Sequence, residues 1–296
     1  MIKLKKPLKN KTKKALYGYL FCLPWIIGFF LFGVYPLIRS LRFALSSSEM
    51  LNAQTRTFTV KGFGFAQIIK LVSNNPEHLK TIGSFTLDIL EIVPIVLVFA
   101  LILALLLNQP IKGRGVFRSI FFLPVVLLSG AMLGYFSSYH LLTVPSITNG
   151  ALEEVINNFF PGFLSGMIVE IFGRIVLILW LSGVQILIFM AGLSKIDKGV
   201  YEAAKVDGAS GWDCFWKITF PALIPLMYIN IIYTTVIYSN LGNFNPLINL
   251  ISTTQTNSTQ YGRGYASMLS WILFLIDIVT IGLYSLIIKL SSIRYE

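Results

Sequence analysis

The sequence predicts an all-α polytopic membrane protein with six transmembrane helices, and three observations lead there. Of 296 residues, 55% are hydrophobic and only 12% are charged, against about 25% charged in an average soluble domain. The mean hydropathy is +0.73. Six windows exceed about 18 nearly uncharged apolar residues, enough to cross a hydrocarbon core of roughly 30 Å as a helix. Lipid offers no partners for stray backbone groups, so each window is expected to be helical.

The first expected span, 17–38, follows a tail carrying Lys3, Lys5, Lys6, Lys9, Lys11, Lys13 and Lys14. It is too long for a signal-peptide core and leads into further spans, so it reads as a retained helix. A long connection with Arg39, Arg42, Arg56, Lys61, Lys70 and Lys80 separates it from the second span, 86–107, which opens with Asp88 and Glu91. A basic turn (Lys112, Arg114, Arg118) precedes the third span, 119–139. The next connection, 140–163, has neither Lys nor Arg, and the fourth span is 164–192. The segment 194–221 carries Lys195, Lys198, Lys205 and Lys217 before the fifth span, 222–241, and the sixth is 264–290. Lys and Arg favour cytoplasmic connections, so both termini of this multi-pass protein are expected in the cytoplasm, with the molecule in the cell membrane. The basic connection 39–80 runs against that bias; the shorter segments decide the orientation.

The net charge of +11 does not point to nucleic acid. Much of it is concentrated where the positive-inside rule and anionic inner-leaflet lipid would place it, so membrane lipid is the expected partner of that charge. Cys22 lies in the first span and Cys214 in a cytoplasmic loop, so no disulfide, metal site or cofactor is expected. The chain contains no G-x-x-x-x-G-K-[ST], G-x-S-x-G or H-E-x-x-H. Its two histidines, His78 and His140, fall in or beside external loops, and no enzyme is expected.

The segment 194–221 interrupts two long apolar runs with charge. Asp197 can cap a short helix whose staple positions are Ile196 and Tyr201, running through Glu202, Ala203 and Ala204. Gly208 can end it in a left-handed conformation. Ser210 with Asp213 can cap a second helix carrying Trp212, Phe215 and Trp216, which Pro221 is expected to halt before the next span. A helical elbow of this kind is either a docking surface for another protein or an amphipathic loop resting on headgroups.

Glu202-Ala203-Ala204, three residues, Gly208, nine residues, Ile218, one residue, Phe220-Pro221 resembles the E-A-A-x3-G-x9-I-x-L-P loop of membrane subunits of binding-protein-dependent ABC importers. Phe220 for Leu is the one departure within the pattern. Trp180, Gly183, Ala191-Gly192-Leu193, Asp207-Gly208-Ala209, Tyr265-Ala266-Ser267 and Ser270-Trp271 are similar to the sugar-permease branch. The run GYLFCLPWIIGFFLFGVYPLIRSL and the ending SSIRYE resemble the larger permease subunit of the maltose type. Outside the pattern, Asp197 stands where the family usually has Pro after Ile, and Asn243-Phe244-Asn245-Pro246 where it often has Gly-Gly-Pro.

The resemblance implies the type I ABC importer permease fold, with residues 1–80 as tail, first helix and external loop, and 81–291 as the transport domain with its coupling loop at 194–221. It implies one permease subunit of an ATP-driven importer, forming half of a pathway for a sugar or oligosaccharide. The partners implied are a second homologous permease, two cytoplasmic ATPase subunits that hydrolyse the ATP, and an extracellular solute-binding protein. The residues implied to couple to the ATPase are Glu202, Ala203, Ala204, Asp207, Gly208, Ala209, Ile218 and Pro221. Peptide, phosphonate and other solute importers share the elbow.

In the fifth span Asn230, Thr234 and Tyr238 recur every four residues, with Tyr233 one step around. Such a stripe suits a sugar pathway, since Asn and Tyr meet hydroxyls and apolar sugar faces without net charge; interhelical packing is the competing reading. Arg174 in the fourth span and Asp277 in the sixth are expected to pair across helices, with Glu170 one turn from Arg174; a substrate contact for any of the three is the alternative. Two other classes compete with the importer: a secondary transporter working alone, which predicts an internal repeat that is not evident, and a membrane scaffold whose elbow recruits a partner.

Overall fold

Apolar windows become helices in the computed structural model, which describes residues 10–46, 48–52, 57–109, 115–116, 119, 151–160, 162–242, 245–256 and 261–292. Four helical stretches are long and apolar enough to cross a membrane: Tyr17–Ala44, Pro76–Asn108, Gly211–Ser239 and Gly262–Ser291. Leu177–Leu193 with Lys198–Val206, bent by 65° at its break, makes a fifth if each bent pair is one span. Apart from Ser119, the expected third span, 119–139, lies outside the described residues.

Two compact units are formed, one from Met1–Asn75 with Ile251–Trp271, the other from Pro76–Leu250 with Ile272–Glu296. In the first, α1 (Asn10–Phe29) passes through a π turn (Phe30–Val34) into α2 (Tyr35–Ala44). A hairpin follows, β1 (Ser48–Asn52) against β2 (Thr57–Lys61), antiparallel from Ser48↔Lys61 to Asn52↔Thr57. This corrects the wholly helical expectation: Thr57, Phe58, Thr59 and Val60 are β-branched or aromatic and suit a pleated ribbon. The Gln67 side-chain amide of α3 (Ala66–Asn74) donates to the Ser46 carbonyl at 3.2 Å. Tyr261 donates to Asn75 Oδ1 at 2.9 Å, tying the returning segment to the N-terminal part of the unit.

The second unit is built on α4 (Pro76–Asn108), followed by α5 (Ala151–Phe159), α6 (Gly162–Gly173) and α7 (Ile175–Leu193). Phe85, Ile89, Ile92, Val93, Val96, Ala100, Ala104 and Leu107 are its buried positions; apart from the adjacent Ile92 and Val93, they recur three or four apart, as one helix face requires. That face packs on α7 and on the fifth-span helix, and Ala100 and Ala104 leave room for close approach, the means of helix association that lipid leaves available.

The expected Arg174–Asp277 pair is not formed. Arg174, at the break between α6 and α7, places Nη1 and Nη2 at 3.3 and 3.2 Å from Asp88 Oδ1 on α4, while Asp277 accepts from Ser239 Oγ at 2.5 Å. Each charge thus meets a polar partner on a different neighbour, with the Asp88–Arg174 pair bridging the helices that pack most extensively.

Candidate functional site: the helical elbow

The elbow opens with α8 (Lys198–Val206). Asp197, at φ −65° and ψ 132°, accepts the Gly199 N–H at 3.0 Å, so the expected cap forms. The helix stops at Gly208, whose φ is +83°. Ala209 N–H reaches the Ala204 carbonyl at 2.9 Å and Gly208 N–H reaches Lys205 O at 3.1 Å. These two bonds are the pair that defines a Schellman stop, and they satisfy carbonyls the ending helix would otherwise leave bare.

The second arm begins at α9 (Gly211–Cys214) with a reciprocal cap: Ser210 N–H donates to Asp213 Oδ2 at 3.2 Å and Asp213 N–H to Ser210 Oγ at 3.2 Å. Lys217 Nζ stands 3.1 Å from Asp213 Oδ1, a pair too exposed to contribute much. Pro221 does not halt this helix, contrary to expectation. The chain widens into a π turn (Phe215–Thr219), in which Phe220 N–H reaches back to Phe215 O, and continues as α10 (Phe220–Ser239), with Pro221, which has no N–H to give, directly after the widened turn. The elbow and the fifth span are one uninterrupted helical path from Gly211 to Ser239.

Two residues complete the elbow that sequence reasoning did not single out for this role. Tyr201 Oη lies 2.7 Å from Thr219 Oγ1, joining the first arm to the second across the bend. Thr219 spends its hydroxyl proton on the Cys214 carbonyl at 3.3 Å, so Tyr201 is the donor. Gly192, near the end of α7, lets that helix touch α10: a Cβ there would meet Leu226 Cδ1 at 2.1 Å and Leu223 Cδ2 at 3.0 Å. Only a glycine in a helical run signals such an approach, and it does not name the partner.

On the outer face of the bend, Glu202, Ala203, Asp207 and Gly208 are exposed, and Ala204 and Ala209 half-buried. Val206 is 87% exposed and Trp212 71% exposed. Trp212, Phe215, Trp216 and Phe220 pack against one another in edge-to-face and tilted pairs with ring centroids 5.0–6.4 Å apart. Of the remaining expected coupling residues, Ile218 and Pro221 are half-buried on the inner side. A bend fixed by two caps and a cross-brace, presenting small and apolar residues beside two carboxylates, Glu202 and Asp207, has the chemistry of a protein contact.

The polar stripe of α10 faces inward. Asn230 and Thr234 are fully buried and Tyr238 nearly so, while Tyr233 is half-buried. Gln185 of α7 donates to Thr234 at 2.8 Å, and Tyr238 stacks on Phe85 with centroids 6.2 Å apart. Among the described residues the Asn230 amide has no hydrogen-bond partner on either polar atom. The side chain of Glu170 lies outside the described residues.

Residues 62–292 match the family described as binding-protein-dependent transport system inner membrane component. The chain is 28% identical to the probable ABC transporter permease protein YesP of Bacillus subtilis, over 98% of this chain and 96% of that one. It is 30% identical to the arabinooligosaccharides transport system permease protein AraP of the same organism, covering 95% and 90%, and 30% identical to the lactose transport system permease protein LacF of Rhizobium radiobacter, covering 74% and 71%. A chain of a bacterial alginate ABC transporter, solved in complex with an alginate pentasaccharide-bound periplasmic protein, shares the fold with a TM-score of 0.58 at 17% identity, covering 93% of this chain and 94% of that one. With the elbow signature in place and the family match spanning most of its length, the chain belongs to the inner membrane components of binding-protein-dependent transport systems.

Proposed function

We propose that this protein is one permease subunit of an ATP-driven importer that forms half of the pathway for a sugar or oligosaccharide. The observation that carries the reading is the elbow, a pre-shaped bend whose exposed residues match the family's loop position by position. Relatives named for lactose and arabinooligosaccharide transport support a glycan substrate. ATP hydrolysis belongs to separate ATPase subunits, and an extracellular binding protein delivers the solute. A second, homologous permease completes the pore, and the full chain has six spans with both termini in the cytoplasm.

In this reading the elbow docks into a cleft of a cytoplasmic ATPase. Glu202 pairs with a basic residue there, Ala203 and Ala204 permit close fit, and Gly208 with Asp207 and Ala209 holds the bend, while Ile218 and Pro221 anchor its inner side. A carboxylate beside exposed Val206 suits a protein groove better than an anionic lipid surface. Of the polar stripe, Thr234 and Tyr238 serve packing, and Asn230 with Tyr233 meets the passing sugar once the neighbouring helices part. Asp277 stays with Ser239 as a structural contact.

Vesicles holding the complete complex test this. Uptake of a glycan must require ATP, the ATPase subunits and the binding protein together. A Glu202→Lys variant should fail to retain the ATPase, and a reciprocal acidic substitution in the ATPase cleft should restore it. Glycan uptake without the ATPase would refute the reading in favour of a transporter that works alone.

A further inference from the structure

The first unit contains a cavity of about 370 Å³ between α2, α11 (Pro246–Thr256) and the start of α12 (Gly262–Ser292). Arg39 and Arg263 line it with Ser40, Gln255 and Ser267, and Phe43 supplies a ring face. Among the described residues no carboxylate lines it. Arg39 is positioned by its guanidinium over the Phe43 ring, 5.7 Å from the centroid. Ser40 is fixed by Trp271 Nε1–H, which donates to its Oγ at 3.1 Å, while the hydroxyl itself donates to Leu37 O at 2.9 Å. Nearby on the same unit Lys70 Nζ sits over the rings of Tyr261 and Tyr265, at 5.1 and 5.8 Å, adding a third cation.

The sequence carries a second, independent sign. Residues 39–80 hold six Lys and Arg (39, 42, 56, 61, 70, 80) against two Glu (49, 77). The proposed orientation puts this segment outside, where the topological bias disfavours such an excess. Of these six cations Arg39 lines the cavity, and the excess as a whole would draw an anionic ligand approaching from outside.

We propose that the cavity receives a uronic acid unit, its carboxylate held between Arg39 and Arg263, so that the solute is an acidic oligosaccharide. This rests on the glycan-importer reading and narrows it. Guanidinium forks match a carboxylate with paired bonds. Ser267 and Gln255 offer donors and acceptors to ring hydroxyls, which a sugar uses and a bare anion does not. The volume falls at the small end of the roughly 300–1,000 Å³ typical of ligand sites, enough for a terminal sugar unit.

The test uses the complete complex in proteoliposomes and labelled disaccharides of galacturonate, glucuronate and mannuronate, each beside its methyl ester and its neutral hexose counterpart. The expected result is uptake of at least one acid with a KM at least about tenfold below that of its ester, the scale of one charge-assisted contact. In R39Q/R263Q, compared at equal membrane level, that preference should fall to near one, and R39K/R263K should keep an intermediate value. Because the acid-to-ester comparison is made on the unaltered protein, it stands even where a variant fails to assemble. Uptake confined to neutral sugars would overturn the proposal and leave the glycan-importer reading intact. Loss of acid and ester uptake in equal proportion would also overturn it, assigning the arginines to structure or to lipid headgroups. No ATP-dependent uptake of any glycan by an assembled complex would strike the parent reading instead.

Discussion

The sharpest test of the elbow is substitution at Gly208. Its φ of +83° lies in the left-handed region, and a Cβ built there meets nothing within 4 Å. Steric fit is therefore not at issue, and the cost of any side chain is that of the backbone conformation alone. For Ala that is about 1–2 kcal/mol; for a β-branched Val it approaches about 3 kcal/mol; Asn, which enters this region several-fold more readily than most residues, should lie closest to Gly. A penalty of 1–2 kcal/mol changes a local equilibrium by roughly 5–30-fold, enough to let the Schellman stop open and the helix run on. In proteoliposomes with the full complex, glycan taken up per ATP hydrolysed should fall in the order Gly, Asn, Ala, Val, with membrane levels of the protein kept comparable. Equal coupling in the Val variant, or equal losses for Asn, Ala and Val, would refute a role for this backbone geometry.

Four further outcomes follow from named contacts. Tyr201→Phe removes the brace to Thr219 and should cost about 0.5–1.5 kcal/mol, seen as ATP hydrolysis that outruns uptake; adding Thr219→Val should bring little further loss, because both act on one bond. Gly192→Ala should be tolerated by rotation of the Leu226 side chain, whereas Gly192→Val should force α7 from α10 and lower detergent stability by about 1–3 kcal/mol, read from the melting temperature. Asp88→Asn or Arg174→Gln should each destabilise by about 1–2 kcal/mol, discounted for partial exposure, and an Asp88→Arg/Arg174→Asp exchange should recover part of it; Asp277→Asn should show no coupling to Arg174 in a double-mutant cycle. Asn230→Leu should raise the melting temperature by removing a buried amide without partners, yet abolish glycan uptake; a stabler protein that still transports would return the stripe to simple packing.

What could be read from the chain in advance was whatever is decided locally. Asp197, Gly208, Ser210 and Asp213 act within a few residues of themselves, so the elbow's caps and its stop were legible. Apolar length announced the spans for the same reason. Contacts that depend on which helices become neighbours were not legible. Arg174 had acidic residues to choose from at 88 and 277, and the packing of α4 on α7, 86 residues apart in the pair it creates, made the choice. Pro221 reads as a stop in isolation, but the widened π turn before it carries the helical path past a residue that has no N–H to give. The alternating Thr and aromatic residues of 57–60 signalled a strand that the surrounding hydropathy obscured.

The unbroken path through the π turn has a mechanical corollary. From Asp213 to Asn230 the chain climbs seventeen residues, about 26 Å at the rise of an α-helix, with no loop to absorb rotation. If the path moves as one body through its π turn and Pro225, a tilt of about 10° at the elbow would swing its far end sideways by about 4–5 Å. Small strokes at the elbow would then be magnified at the far end, and shortening the path or inserting a flexible joint near Phe220 should leave the stroke and remove that displacement.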